Sequence, residues 1–174
     1  KIKLIIAAII ATGAMASCSD MLETDSTRQV FNPTLDQKTD SMFFTVGILR
    51  DMQLLADQYV LTNEMRGDLV TTTDATETAL RELANFSANS SNKYDSAYVY
   101  YRVINNCNYY ITHRDTSLVT GSKKVTLDEF AEAKAIRAWA YLQLAKTYGS
   151  VPFFTDPITS SSDVNKEYKK KDIA

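Results

Sequence analysis

The chain has 174 residues, of which 45% are hydrophobic and 23% charged, with a formal net charge of −2. This is the composition of a globular domain long enough to bury a core. A slightly acidic balance without a basic, aromatic-interleaved stripe argues against a nucleic-acid partner.

Lys1 and Lys3 precede an apolar run from Leu4 to Ala11, and Ala14-Met15-Ala16-Ser17-Cys18 follows. A positive start, a short apolar core and small residues form an export signal. The run is too short to cross a bilayer, which takes roughly 20 apolar residues. Small residues before a cysteine make a lipid attachment site, with Met15 standing where the bacterial lipobox usually carries Leu. Residues 1–17 are therefore expected to be a lipoprotein signal peptide. Cys18 becomes the lipidated N-terminus, bearing acyl chains such as palmitate, and residues 18–34 form a polar tether. An ordinary secretory signal with an incidental cysteine is the other reading. The polar stretch directly after Cys18 favours the anchor. The second cysteine, Cys107, lies among apolar residues and is expected to be a buried, inert thiol.

Residues 35–60 turn helical. Met42, Val46, Leu49, Met52, Ala56 and Tyr59 recur at helical spacing and are expected to line the inner face. Gly47 weakens this helix by up to about 1 kcal/mol relative to Ala, and offers room for a second helix to pack closely. Arg66-Gly67-Asp68 is an integrin-type tripeptide that matches often by chance and carries no functional weight here. Thr71-Thr72-Thr73-Asp74 reads as a loop ending in a helix cap. A short helix follows over 75–86, with Leu80, Leu83 and Phe86 inward, and 87–93 is a polar loop.

Residues 94–113 carry a strong helical stripe of Tyr94, Ala97, Tyr101, Ile104, Asn108 and Ile111. Asn105, Asn106 and Asn108 are poor helix formers. Only Asn108 lies on the stripe, so it alone is assigned a hydrogen-bonding duty. His113 falls at the helix C-terminus, where a partly charged imidazole suits the dipole.

Residues 114–125 read as a loop containing Gly121. Thr126 and Glu129 form a capping box. The helix it opens runs to Tyr148, with Gly149 in the left-handed cap position and Pro152 as the stop. Ala131, Ala133, Ala135, Ala138, Ala140 and Ala145 allow a neighbouring helix to approach. Phe130, Trp139, Tyr141, Leu144 and Tyr148 supply bulk. Residues 158–171 are Ser-rich and then Lys-rich. Four or five helices with short connections predict an all-α fold of tetratricopeptide-like helical hairpins.

No catalytic constellation is legible. His113 is the single histidine, the carboxylates are scattered, and no metal-ligand spacing, phosphate loop or dinucleotide turn occurs. The reading is of a non-enzyme without cofactor or metal. Ten tyrosines, seven phenylalanines and one tryptophan are present. Tyr98, Tyr100, Tyr109 and Tyr110 are not accounted for by the periodic faces, and no ligand-binding residue is assigned.

Residues 132–157 read EAKAIRAWAYLQLAKTYGSVPFFTDP. This segment resembles the signature of the SusD/RagB family of outer-membrane nutrient-uptake lipoproteins of Bacteroidetes. The matching positions include Arg137, Trp139, Tyr141, Tyr148, Gly149, Pro152 and Pro157. Tyr101, Ile104 and Asn108 resemble the family's preceding helix, with Tyr94 where Trp is frequent. The resemblance implies a surface-facing lipoprotein of the cell outer membrane, anchored through Cys18. It implies binding of an oligosaccharide or other nutrient, and partnership with a SusC-like TonB-dependent transporter. Family members are about three times as long, so residues 35–174 are expected to be the N-terminal helical domain of a longer protein. Asp25-Ser26-Thr27 resembles the O-glycosylation pattern of the same bacteria and makes Ser26 a candidate. A lipid-anchored helical module that docks only other proteins is the alternative, and an envelope hydrolase the third.

Overall fold

The structure is a computed structural model. It describes residues 35, 38–67, 69–117, 119–124, 127–164 and 166–171, all within one compact unit, Thr34–Ala174. Cys18, the tether, the Thr126 cap and Asp68 lie outside the described residues.

The described fold is mainly helical. Helix α1 is Lys38–Met65, α2 Thr78–Ala84, α3 Tyr98–His113, α4 Leu127–Tyr148 and α5 Ser161–Val164. Two small antiparallel ribbons join them. Val119–Thr120 (β1) pairs with Lys123–Lys124 (β2), and Val151–Pro152 (β3) with Lys170–Lys171 (β4). The first ribbon occupies the expected 114–125 loop. Gly121 turns it at φ 63°, where a Cβ would be strained. The second draws the Lys-rich segment back against Val151, which the polar composition of 158–171 gave no sign of.

Helix α3 is central. Successive contacts run Asp51 to Arg102, Gln58 to Ser96 and Thr62 to Tyr94, so α1 lies antiparallel to α3. Tyr101 with Tyr141, and Asn108 with Arg137, place α4 antiparallel on another side. The core draws Ile48 and Leu55 from α1, Val103, Ile104, Cys107 and Tyr110 from α3, and Ala133, Ile136, Ala140 and Leu144 from α4. Ala133 and Ala140 are the alanines that serve close approach, whereas Ala131, Ala135 and Ala138 are exposed. Gly149 sits at φ 74° and donates its N–H to the Ala145 carbonyl at 2.9 Å, the expected helix stop.

The buried face of α1 differs from the expected one. Met42, Val46 and Leu49 are 50%, 56% and 44% exposed, and Ala56 is exposed. The inward stripe is Ser41, Thr45, Ile48, Leu55, Gln58, Thr62 and Met65. Three of its four buried polar residues are satisfied by α3 and the turn before it, while the Thr45 hydroxyl is buried without a hydrogen-bond partner among the described residues. The Ser41 and Tyr110 hydroxyls bond each other, Gln58 donates to the Ser96 carbonyl at 2.7 Å, and Thr62 to the Tyr94 carbonyl at 3.0 Å. Among the described residues Gly47 is not a packing notch, since none of them lies within 4 Å of where its Cβ would be.

Several boundaries move, with α1 running on to Met65 instead of ending at residue 60 and α2 opening at Thr78 instead of residue 75. Tyr94 precedes α3 rather than opening it, because Asn92 folds 92–95 into a turn, accepting from the Tyr94 N–H. Phe86 was expected inward but lies just past α2 at φ 54°, 74% exposed. The helix stops two residues earlier, at Ala84 with Asn85 as its cap, and the left-handed turn swings the ring out.

Candidate functional site

Tyr101, Asn108, Arg137 and Tyr141, four of the residues singled out by the sequence, come together along one seam between α3, α4 and the segment 151–158. Trp139 instead packs on Tyr59 of α1, and Tyr148 faces Asp95 before α3. Tyr101 Oη donates to the Pro152 carbonyl at 2.9 Å. Tyr141 Oη donates to the Phe154 carbonyl at 2.7 Å and accepts from the Phe154 N–H at 3.0 Å. Asn108 is fully buried. Its Oδ1 accepts from Arg137 at 2.8 Å, and its Nδ2 faces the Phe154 and Asp156 carbonyls at 3.3 and 3.5 Å. Pro157 is half-buried between held neighbours. Ile104 is core, and Trp139 meets Tyr59 edge-on and Tyr100 at a tilt.

Sequence reasoning reserved a duty for Asn108 alone, and its two neighbours have duties too. Asn105 donates to the Ile158 carbonyl at 3.0 Å and accepts from the Ile158 N–H at 2.7 Å. Asn106 donates to Asp51 at 2.5 Å. Asparagines off the apolar stripe gave no local signal, because their partners lie some 50 residues away in the chain.

Burial raises the phenols along this seam. It pushes Tyr101 to about 12, helped by the nearby Tyr141, and Tyr100 to about 12, helped by Tyr59. Burial, then the Asp95 carboxylate, raise Tyr148 further, while its hydroxyl completes no hydrogen bond. Burial likewise lifts the Cys107 thiol to about 12 against a weaker opposing pull from Arg137. All four groups are thereby held in their protonated, uncharged forms at neutral pH.

The described surface has a second feature, an open groove between α1 and α3 of about 270 Å³. Phe43, Phe44, Gly47, Ile48, Asp51 and Asn106 line it. Asp51 at its polar end is held by Arg102 at 3.1 Å and by Asn106. At the other end Phe44 stacks on Tyr109, with ring centres 5.6 Å apart, and Tyr109 stacks on His113 at 4.1 Å. Arg102, Asn106, Tyr109 and His113 follow one another at helical spacing, so a single stripe of α3 presents planar polar and aromatic groups to α1. Of the unexplained tyrosines, Tyr109 belongs to this stack, Tyr100 and Tyr110 are core, and Tyr98 is 68% exposed.

Among the described residues no cluster of His, Cys, Asp and Glu is arranged to hold a metal ion, and no helix is long and apolar enough to cross a membrane. No protein-family description, no curated protein and no solved structure matches the chain.

Proposed function

We propose that the chain belongs to a surface lipoprotein of the outer membrane that binds a nutrient, a glycan by preference. It passes this ligand to a SusC-like TonB-dependent transporter. The three long antiparallel helices are read as tetratricopeptide-like hairpins of a SusD-like N-terminal domain, anchored through Cys18. The protein acts by binding and transfer rather than by catalysis.

One observation carries most weight. Four residues of the resemblance at 101–157 form one connected clasp, in which Tyr101, Asn108 and Tyr141 hold the backbone after Gly149 and Arg137 holds Asn108. A chance match of scattered letters has no reason to fold into a single hydrogen-bonded unit. The test uses the full reading frame in its native cells. Labelled palmitate is expected on the wild type and not on Cys18→Ser, and a TonB-dependent transporter is expected in the wild-type pull-down. Calorimetry against glycans is expected to show binding. An unlabelled wild type that stays in the cytoplasm rejects the proposal.

The exposed apolar side of α1, with Met42, Phe43, Val46 and Leu49, favours a second reading. In it the protein is a lipid-anchored module that docks other proteins and binds no small molecule. Calorimetric silence across glycans and peptides, with a stable protein partner, selects this reading.

A further inference from the structure

Gly47 stands in the middle of α1, where glycine costs about 1 kcal/mol of helix stability relative to Ala. That cost is not offset by packing within the described chain, because the space beyond its Cα is open. What the missing side chain leaves is the floor of the groove between Phe43 and Asp51. A residue with a side chain here closes the groove, so the glycine defines its shape.

The walls specify what fits. Phe43 is 68% exposed and borders the groove, offering an aromatic ring. Asp51 and Asn106 supply fixed acceptors at the opposite side. Each carboxylate oxygen accepts one bond already and retains a free lone pair, and the Asn106 carbonyl is a further acceptor. Arg102 neutralises Asp51, which leaves the polar end without net charge. At about 270 Å³ the groove lies just below the range of pockets for drug-sized ligands. An aromatic wall, neutral polar acceptors and room for one ring select a compact molecule with a C–H face and several hydroxyls. A protein helix laid over the same groove would seal the Asp51–Arg102 pair from water, a desolvation that hydroxyl groups avoid by replacing the water.

We infer that this groove is a binding subsite for a single uncharged hexopyranose unit, stacked on Phe43 and hydrogen-bonded to Asp51 and Asn106. The inference rests on the glycan-binding reading and gives it a location. A ligand of about a dozen heavy atoms in an open groove binds weakly, in the millimolar range.

The experiment is an NMR titration of the Cys18→Ser chain. The probes are methyl α-D-glucopyranoside, methyl β-D-galactopyranoside and, as a charged control, sodium glucuronate. The amide signals of Phe43, Gly47 and Asn106 are expected to move saturably with at least one neutral pyranoside, and at least threefold more weakly with glucuronate. Gly47→Leu fills the groove and is expected to abolish the shifts while melting no lower than the parent. Asn106→Ala serves as a second variant and is expected to weaken binding about tenfold.

If neither pyranoside moves Gly47, the subsite is refuted. It is equally refuted if Gly47→Leu leaves the shifts intact, or if Gly47 moves with protein concentration alone, which assigns the groove to a second copy. Glycan binding by the full protein that ignores Gly47→Leu rejects the subsite and leaves the proposed function standing. Saturable pyranoside binding in a protein that is neither lipidated nor transporter-associated rejects the function and leaves the subsite standing.

Discussion

The guanidinium of Arg137 donates to Oδ1 of the fully buried Asn108 at 2.8 Å, joining α4 to α3 at the point where the chain crosses after β3. The bond fixes the orientation of the amide. With Oδ1 committed to Arg137, Nδ2 must face the Phe154 and Asp156 carbonyls.

Breaking that pair leaves a buried group without its partner. Asn108→Ala and Arg137→Ala are each expected to cost about 1–3 kcal/mol in urea unfolding. The double variant is expected to cost clearly less than the sum, since each single change strands the same bond. Strict additivity would show that the two side chains act independently.

Tyr141→Phe removes one oxygen that serves both backbone groups of Phe154. The ring remains against Tyr101 and Phe153, so packing is kept. The expected loss is about 1–2 kcal/mol. Hydrogen exchange at the Phe154 amide is expected to accelerate more than exchange in α3, and uniform acceleration would contradict a local clasp.

Alkaline pH is expected to destabilise the fold. Cys107 rises from 9.0 to about 12, and Tyr100 and Tyr101 from 10.0 to about 12. The unfolded chain therefore loses these protons first. Stability is fully present below about pH 9 and falls as pH rises toward 12, because the folded state binds more protons across that window. The midpoint of urea unfolding between pH 8 and 11 measures this, and Cys107→Ala is expected to flatten the slope. Alkylation of native Cys107 at pH 8 is expected to be slow and to accelerate on unfolding.

Phe86 holds φ 54° while its ring is 74% exposed. A bulky residue in that region is strained by about 1–2 kcal/mol. Phe86→Gly relieves the strain and loses little burial, so thermal melting is expected to rise by a few degrees. A drop would mean that the ring makes a contact worth more than the strain.

The helices were legible where periodicity and punctuation agreed. Tyr148, Gly149 and Pro152 mark the end of α4 with local chemistry alone, and the structure stops the helix there. The inner face of α1 was not legible, because Met42, Val46 and Leu49 offer as apolar a stripe as Ile48 and Leu55. The choice between them is made by α3, whose Tyr110 hydroxyl, and the turn before it, whose Tyr94 and Ser96 carbonyls, satisfy Ser41, Thr62 and Gln58. Pairing between distant segments also hid the duties of Asn105 and Asn106, and the groove at Gly47. In one sequence a glycine looks the same whether a helix or a ligand fills its space.

The bonds onto residues 152–158 share a property with a consequence for sequence change. Their targets are the Pro152, Phe154, Asp156 and Ile158 carbonyls and the Phe154 and Ile158 amides, so the hydrogen bonds grip main chain. Among the described residues, the only side chains of the segment that the helix tyrosines also hold are the Phe153 and Phe154 rings. Thr155 and Asp156 can then be exchanged freely while the crossing keeps its path, whereas Tyr101, Asn105, Asn108 and Tyr141 cannot. The specification of this segment is written on α3 and α4 rather than on the segment itself. Related chains could diverge there in spelling and still trace the same course.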